Sequence, residues 1–146
     1  MSDKTITSAN AVFLLTESNF YSAGIKIQGF AADAAFAVAS APTAETQMGV
    51  DGNLSAGWVP REYKQTWSLQ ADSESIAVFD AIANGQDAVQ DIFWLQGVMK
   101  MKSIGRSYTF TKGVLTEYKV MPDGKKILQP VEFVITWQSV KPAILS

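Results

Sequence analysis

The amino-acid sequence predicts a mainly β domain, an antiparallel β-sandwich or barrel-like fold with one flanking α-helix over about residues 73–84. Three observations carry this expectation. Apolar and polar residues alternate with period two along several segments, turn-forming residues sit between those segments, and a single segment switches to helical spacing. With 146 residues, 47% hydrophobic and 18% charged, the chain fits one domain over residues 1–146 with one substantial core.

Taken in order, residues 12–15 (Val-Phe-Leu-Leu) are apolar enough for a well-buried strand. Ile25 and Ile27 alternate with Lys26 and Gln28. Residues 28–50 are alanine-rich and nearly uncharged, and are expected to form a long arm hairpin with its tip at residues 40–43. Such an arm has too few large residues to bury itself, so it is expected to be covered by a neighbour. Its contact candidates are Phe36, Val38, Ala41, Pro42 and Thr43. A loop, or a short helix over residues 32–39, is the plainer alternative.

Further along, Met48 and Val50 alternate with Glu45, Gln47 and Asp51. Tyr63, Trp67, Leu69 and Ala71 alternate with Glu62, Lys64, Thr66, Ser68 and Gln70. In the helical segment ADSESIAVFDAIANGQ, Ile76, Phe79, Ile82 and Ala83 recur at helical spacing, and Asp72 or Ser73 is the expected N-cap. Gly85 is the expected stop, with Glu74 and Asp80 facing outward. Residues 91–101 form a buried strand, and Tyr108 and Phe110 alternate with Ser107, Thr109 and Thr111. A Met-Pro-Asp-Gly turn at 121–124 joins residues 115–120 to 127–137 as a hairpin. Val131, Phe133, Ile135 and Trp137 mark the clearest core face.

The glycine-rich stretch MGVDGNLSAGWVPREY invites a phosphate-loop reading. A Walker loop needs a Lys-Ser/Thr pair followed by a helix, and a dinucleotide fingerprint needs a helix directly after its glycines. Here Gly57 runs into Trp58-Val59-Pro60 and a strand. Asp51-Gly52 between alternating runs is instead a hairpin signal, expected as a type I′ turn. Gly49, Gly52 and Gly57 are assigned to backbone geometry and packing, and Trp58 to the core or an interface.

The sequence contains no cysteine and no histidine. That removes thiolate nucleophiles, disulfides and the commonest general base and metal ligand. The carboxylate pairs Asp51/Glu62 and Asp87/Asp91 have no spacing that singles them out, and Asp51-Gly52-Asn53 does not continue as a calcium loop. No catalytic residue, metal or cofactor is assigned, and no enzyme is expected. The net charge of −2 leaves no electrostatic footprint for nucleic acid. No signal peptide or membrane-spanning run is recognised, which points to a cytoplasm-like place of synthesis.

The segments QGFAADAAFAV, AETQMGVDGNLSAGWVP, QTWSLQADSESIAVFDAI, SIGRSYTFTKGVL and KKILQPVEFVITWQSVKP occur in this order between about Thr5 and Pro142. Together they resemble tail tube proteins of contractile-tailed bacteriophages. The resemblance implies six-membered rings stacked into a tube inside a contractile sheath. Its partners would be further copies of itself, the sheath, baseplate and tail terminator proteins, the tape measure protein, and genome DNA passing without sequence-specific binding. No membrane is involved, and the protein would reside in the virion after assembly in the host cytoplasm. On that reading Glu45, Gln47, Asp51, Thr66, Ser68 and Gln70 are candidates for the channel lining. The arm would reach the adjacent ring and the helix would face the sheath. A type VI secretion or bacteriocin tube shares the architecture. A monomeric β-sandwich binding a small ligand or glycan through Trp58 is the alternative from another class.

Overall fold

The computed structural model describes residues 11–17, 21–27 and 36–144. Among these residues nine strands and one α-helix follow each other as β1 (Ala11–Glu17), β2 (Tyr21–Ile27), β3 (Phe36–Val38), β4 (Ala44–Met48), β5 (Leu54–Trp58), β6 (Tyr63–Leu69), α1 (Ile76–Val89), β7 (Leu95–Met101), β8 (Arg106–Tyr118) and β9 (Val131–Ile144), with a short 3-10 turn at Lys102–Ile104. Seven strands form one sheet in the order β2-β1-β7-β8-β9-β6-β3, and β4 and β5 form a separate two-stranded sheet. Every pairing is antiparallel. The expectation of a mainly β antiparallel fold with a single helix therefore holds.

The large sheet rolls up around its own apolar face. Phe13 on β1 meets Trp67 on β6 edge to face, with ring centroids 4.5 Å apart, although β7, β8 and β9 lie between them in the sheet. Phe110 and Trp137 continue this aromatic cluster at 5.1 Å. The period-two pattern explains which side is buried. Val131, Phe133, Ile135 and Trp137 of β9 are all buried, while Glu132 and Gln138 are exposed and Val134 is half-buried.

Two glycines let this cluster close. A Cβ on Gly113 would lie 2.4 Å from Trp137 Cε3, and one on Gly97 would lie 2.4 Å from Phe13 Cζ. Both core rings pass directly over backbone that carries no side chain. Gly113 follows Lys112, which has a φ of 52°, within the irregular β7–β8 pairing.

The helix differs from expectation at both ends. It starts at Ile76 after Ser75, whose side chain makes no capping bond. Ser73 Oγ accepts the Ser75 amide at 3.2 Å within the preceding turn instead, and Asp72 is exposed. Gly85 does not stop the helix, which runs to Val89 and ends on Gln90 in the left-handed conformation. Packing overrides the single glycine, whose cost in a helix is only about 1 kcal/mol. Phe79 stacks on Phe133 of β9 at 4.4 Å with planes 9° apart, and Val78, Ile82 and Ala83 are buried with it. Asp80 does not face outward as expected. It is half-buried and accepts the Tyr118 hydroxyl from the end of β8. That contact and burial push the Tyr118 phenol up to about 12, burial contributing most.

Candidate functional site

The region that differs from an ordinary domain is the β4–β5 hairpin. Every residue from 42 to 58 is exposed. The pairing runs Ala44↔Trp58, Glu45↔Gly57, Thr46↔Ala56, Gln47↔Ser55 and Met48↔Leu54. Since alternate side chains point to opposite faces, the ribbon is amphipathic. Ala44, Thr46, Met48, Leu54, Ala56 and Trp58 share one face, and Glu45, Gln47, Ser55 and Gly57 the other. The apolar face has no cover within the described chain: Met48 is 63%, Leu54 61% and Trp58 74% exposed. Val50 stands fully exposed at the tip.

The tip is a five-residue loop over 49–53, so the expected two-residue type I′ turn is not what forms. Gly49 N donates to Asn53 O at 2.9 Å and Gly52 N to Gly49 O at 3.0 Å. Gly52, with φ of 84°, occupies the left-handed region, which is its reason for being glycine. Asp51 accepts from the Asn53 amide at 3.1 Å and from its side-chain nitrogen at 2.8 Å, and these bonds hold its carboxyl below the usual carboxylate range. Gly49 sits close to the Asp51 carboxylate, whereas nothing lies within 4 Å of a Cβ on Gly57, so packing gives no reason for that glycine.

The arm and the hairpin are different parts of the chain. Residues 28–35 of the expected arm lie outside the described residues. Phe36 and Val38 belong to β3, which pairs with β6 through Phe36↔Trp67 and Val38↔Gln65, and Phe36 is half-buried 6.0 Å from the Trp67 ring. Ala41, Pro42 and Thr43 form the connector from β3 to β4 rather than a tip. The sequence could not reveal this, because an alternating run names two faces but not its strand partner.

The channel-lining candidates divide in the same way. Glu45 and Gln47 share the polar face of the hairpin, and Asp51 lies at its tip. Thr66 is half-buried on β6 beside the exposed Lys64, and Gln70 is exposed just beyond the strand. Ser68 is buried, 6% exposed, where the chain turns back with Ser73 N donating to Gln70 O at 2.9 Å. It does not face open solvent, which removes it from that set. Trp58 is settled as a surface residue beside Pro60, Arg61 and Gln138.

A second feature is an apolar cup of 440 Å³ at one end of the rolled sheet. Residues 36–41, Tyr63, Met99, Met101, Tyr108, Phe110, Val140 and Pro142 line it, and no residue of the hairpin does. Two arginines clasp its tyrosines. Arg61 Nε donates to the Tyr63 hydroxyl at 2.7 Å, and Arg106 Nε to the Tyr108 hydroxyl at 3.2 Å. The guanidinium carbons stand 5.5 and 5.7 Å from the respective ring centroids.

Gln65 also lines the cup, and sequence reasoning missed it. It is 1% exposed and accepts Trp137 Nε1 at 2.8 Å. The available signal was its phase, since it alternates in step with Tyr63 and Trp67. No group of three or more acidic residues placed to hold a metal ion occurs among the described residues. No helix among them is long and apolar enough to cross a membrane.

Residues 4–141 match the sequence model of a family described as tail fiber protein gp32. No curated protein is significantly similar in sequence. Solved structures share the fold. A chain of the six-fold-symmetrised anti-feeding prophage baseplate is similar with a TM-score of 0.62 and 11% identity, over 100% of this chain and 99% of that one. A chain of the PVC extracellular contractile injection system, seen in its extended sheath-tube complex, has a TM-score of 0.60 and 10% identity, over 91% and 88%. A chain of the anti-feeding prophage tube-terminating cap has 0.61 and 8%, over 99% and 94%.

Proposed function

We propose that this chain, which belongs to the tail fiber protein gp32 family, is a structural subunit that assembles with copies of itself into six-membered rings stacked as the tail tube of a contractile phage tail. The observation that carries the reading is the amphipathic β4–β5 hairpin, whose apolar face finds no cover among the described residues of its own chain. A soluble monomer does not ordinarily keep a contiguous apolar ribbon in water. The fold shared with chains of contractile injection systems supports the same reading.

The energetics favour a polymer over a pair. Covering Met48, Val50, Leu54 and Trp58 is worth about 1.5–3 kcal/mol each, or roughly 6–12 kcal/mol for the four. Association costs about 4–15 kcal/mol in lost freedom and ordering. One hairpin contact therefore barely holds two copies together. A closed ring, in which every copy both gives and receives a contact, gains the cooperativity that a pair lacks.

In a tube the polar hairpin face, with Glu45 and Gln47, would line the channel. An acidic and neutral wall does not hold DNA, whose phosphates bind Lys and Arg. The helix would face the sheath, and further partners would be the baseplate, terminator and tape measure proteins.

Negative-stain electron microscopy over a concentration series, with and without a baseplate preparation, tests the reading. Rings or hollow tubes with six-fold end views are expected. Solid filaments without a lumen would instead favour a fiber, as the family description has it. Monomers under every condition would refute assembly.

A further inference from the structure

The exposed hairpin and the apolar cup are complementary in shape and in charge. The hairpin is a protruding ribbon with Met48, Val50 and Leu54 at its end, and the cup is a 440 Å³ concavity that its own hairpin does not line. Residues 42–58 contain Glu45 and Asp51 and no basic side chain. The tyrosines of the cup are clasped by Arg61 and Arg106. An acidic tip with apolar flanks thus matches an apolar hollow with basic residues beside it.

We propose that the hairpin of one copy docks tip-first in the cup of a second copy, with Met48, Val50 and Leu54 inside and Asp51 facing Arg61 and Arg106. This rests on the self-assembly reading above and specifies which surface receives the hairpin. The contact is heterologous: donor and acceptor surfaces differ, so the pair keeps one free cup on the donor and one free hairpin on the acceptor. Repetition then generates a ring or a filament rather than a closed pair. The competing arrangement, hairpin against hairpin, would be isologous and stop at two. It would also bring like-charged tips together, which the observed charges disfavour.

Because the sequence has no cysteine, disulfide trapping needs only the two positions of interest. Val50→Cys lies at the exposed tip, and Ser40→Cys lies at the exposed lining of the cup, so neither disturbs the core. The V50C chain is mixed with a mass-tagged S40C chain under assembling conditions and oxidised mildly. A mixed V50C–S40C dimer exceeding V50C homodimer is the expected product, and Asp51→Lys in the donor should reduce it. Homodimer alone, or no cross-link while rings still form in electron micrographs, overturns the docking and leaves the tube reading standing. The mixed dimer without rings does the reverse. A bond formed only within a doubly substituted V50C/S40C chain also overturns docking between copies.

Discussion

Replacing Gly113 by alanine puts a carbon 2.4, 2.6 and 2.8 Å from Cε3, Cζ3 and Cδ2 of Trp137. Ordinary contact needs more than about 3.4 Å, so ring and backbone must separate by roughly 1 Å. The ring has little freedom to give. Its Nε1 donates to the buried Gln65 at 2.8 Å, and Phe110 and Phe13 lie at 5.1 and 6.4 Å on centroids. Overpacking of this kind costs about 1–3 kcal/mol. At about 2–4 °C per kcal/mol for a chain of this size, the melting temperature should fall by about 2–12 °C. Gly57→Ala is the matched control, because its added carbon meets nothing within 4 Å and it lies in the exposed hairpin. It should stay within about 1 kcal/mol of the parent. Thermal unfolding followed by near-ultraviolet circular dichroism reads both stability and the tryptophan environment. If G113A melts with the parent and keeps its near-ultraviolet spectrum, the crossing of Trp137 over β8 is wrong.

Tyr118→Phe removes the bond that ties β8 to Asp80 of the helix and should cost about 0.5–1.5 kcal/mol in urea unfolding. Because the folded phenol is raised from 10.0 to about 12, the folded state holds that proton more tightly than the unfolded state does. The advantage of parent over Y118F is thus complete below pH 10 and lost as pH climbs through about 12. A constant difference across that window would contradict it. Met48→Ser with Leu54→Ser should leave monomer stability within about 0.5 kcal/mol, since both side chains are exposed, yet abolish rings in micrographs. Glu45→Lys with Gln47→Lys should preserve folding and slow DNA release from assembled particles; unchanged release would remove both residues from the channel wall.

The core was legible because local alternation suffices for it. Val131, Phe133, Ile135 and Trp137 repeat with period two, and the pleat then sends all four to one side. Helical spacing likewise located Phe79 and Ile82 on the packed face of α1. The helix ends were less legible, since the hydrogen bond to Asp80 and the stacking on Phe133 come from strands far along the chain. The candidate site was half legible. Glycine chemistry marked the tip near Gly52, while the partner of β4 could not be read from the alternation of Met48 and Val50.

What the sequence by itself determined was the two-sidedness of each segment, because period two and period 3.6 are properties of neighbouring residues. Which side is covered, and by what, was decided only in three dimensions. Val131 and Leu54 both sit on apolar faces of strands, yet one is 1% and the other 61% exposed. The difference lies in the company each strand keeps. The seven-stranded sheet rolls onto β9, while among the described residues β4 and β5 pair only with each other. Gly97 and Gly113 belong to the same lesson: nothing nearby in the chain calls for glycine there, and the aromatic rings that do arrive from distant strands.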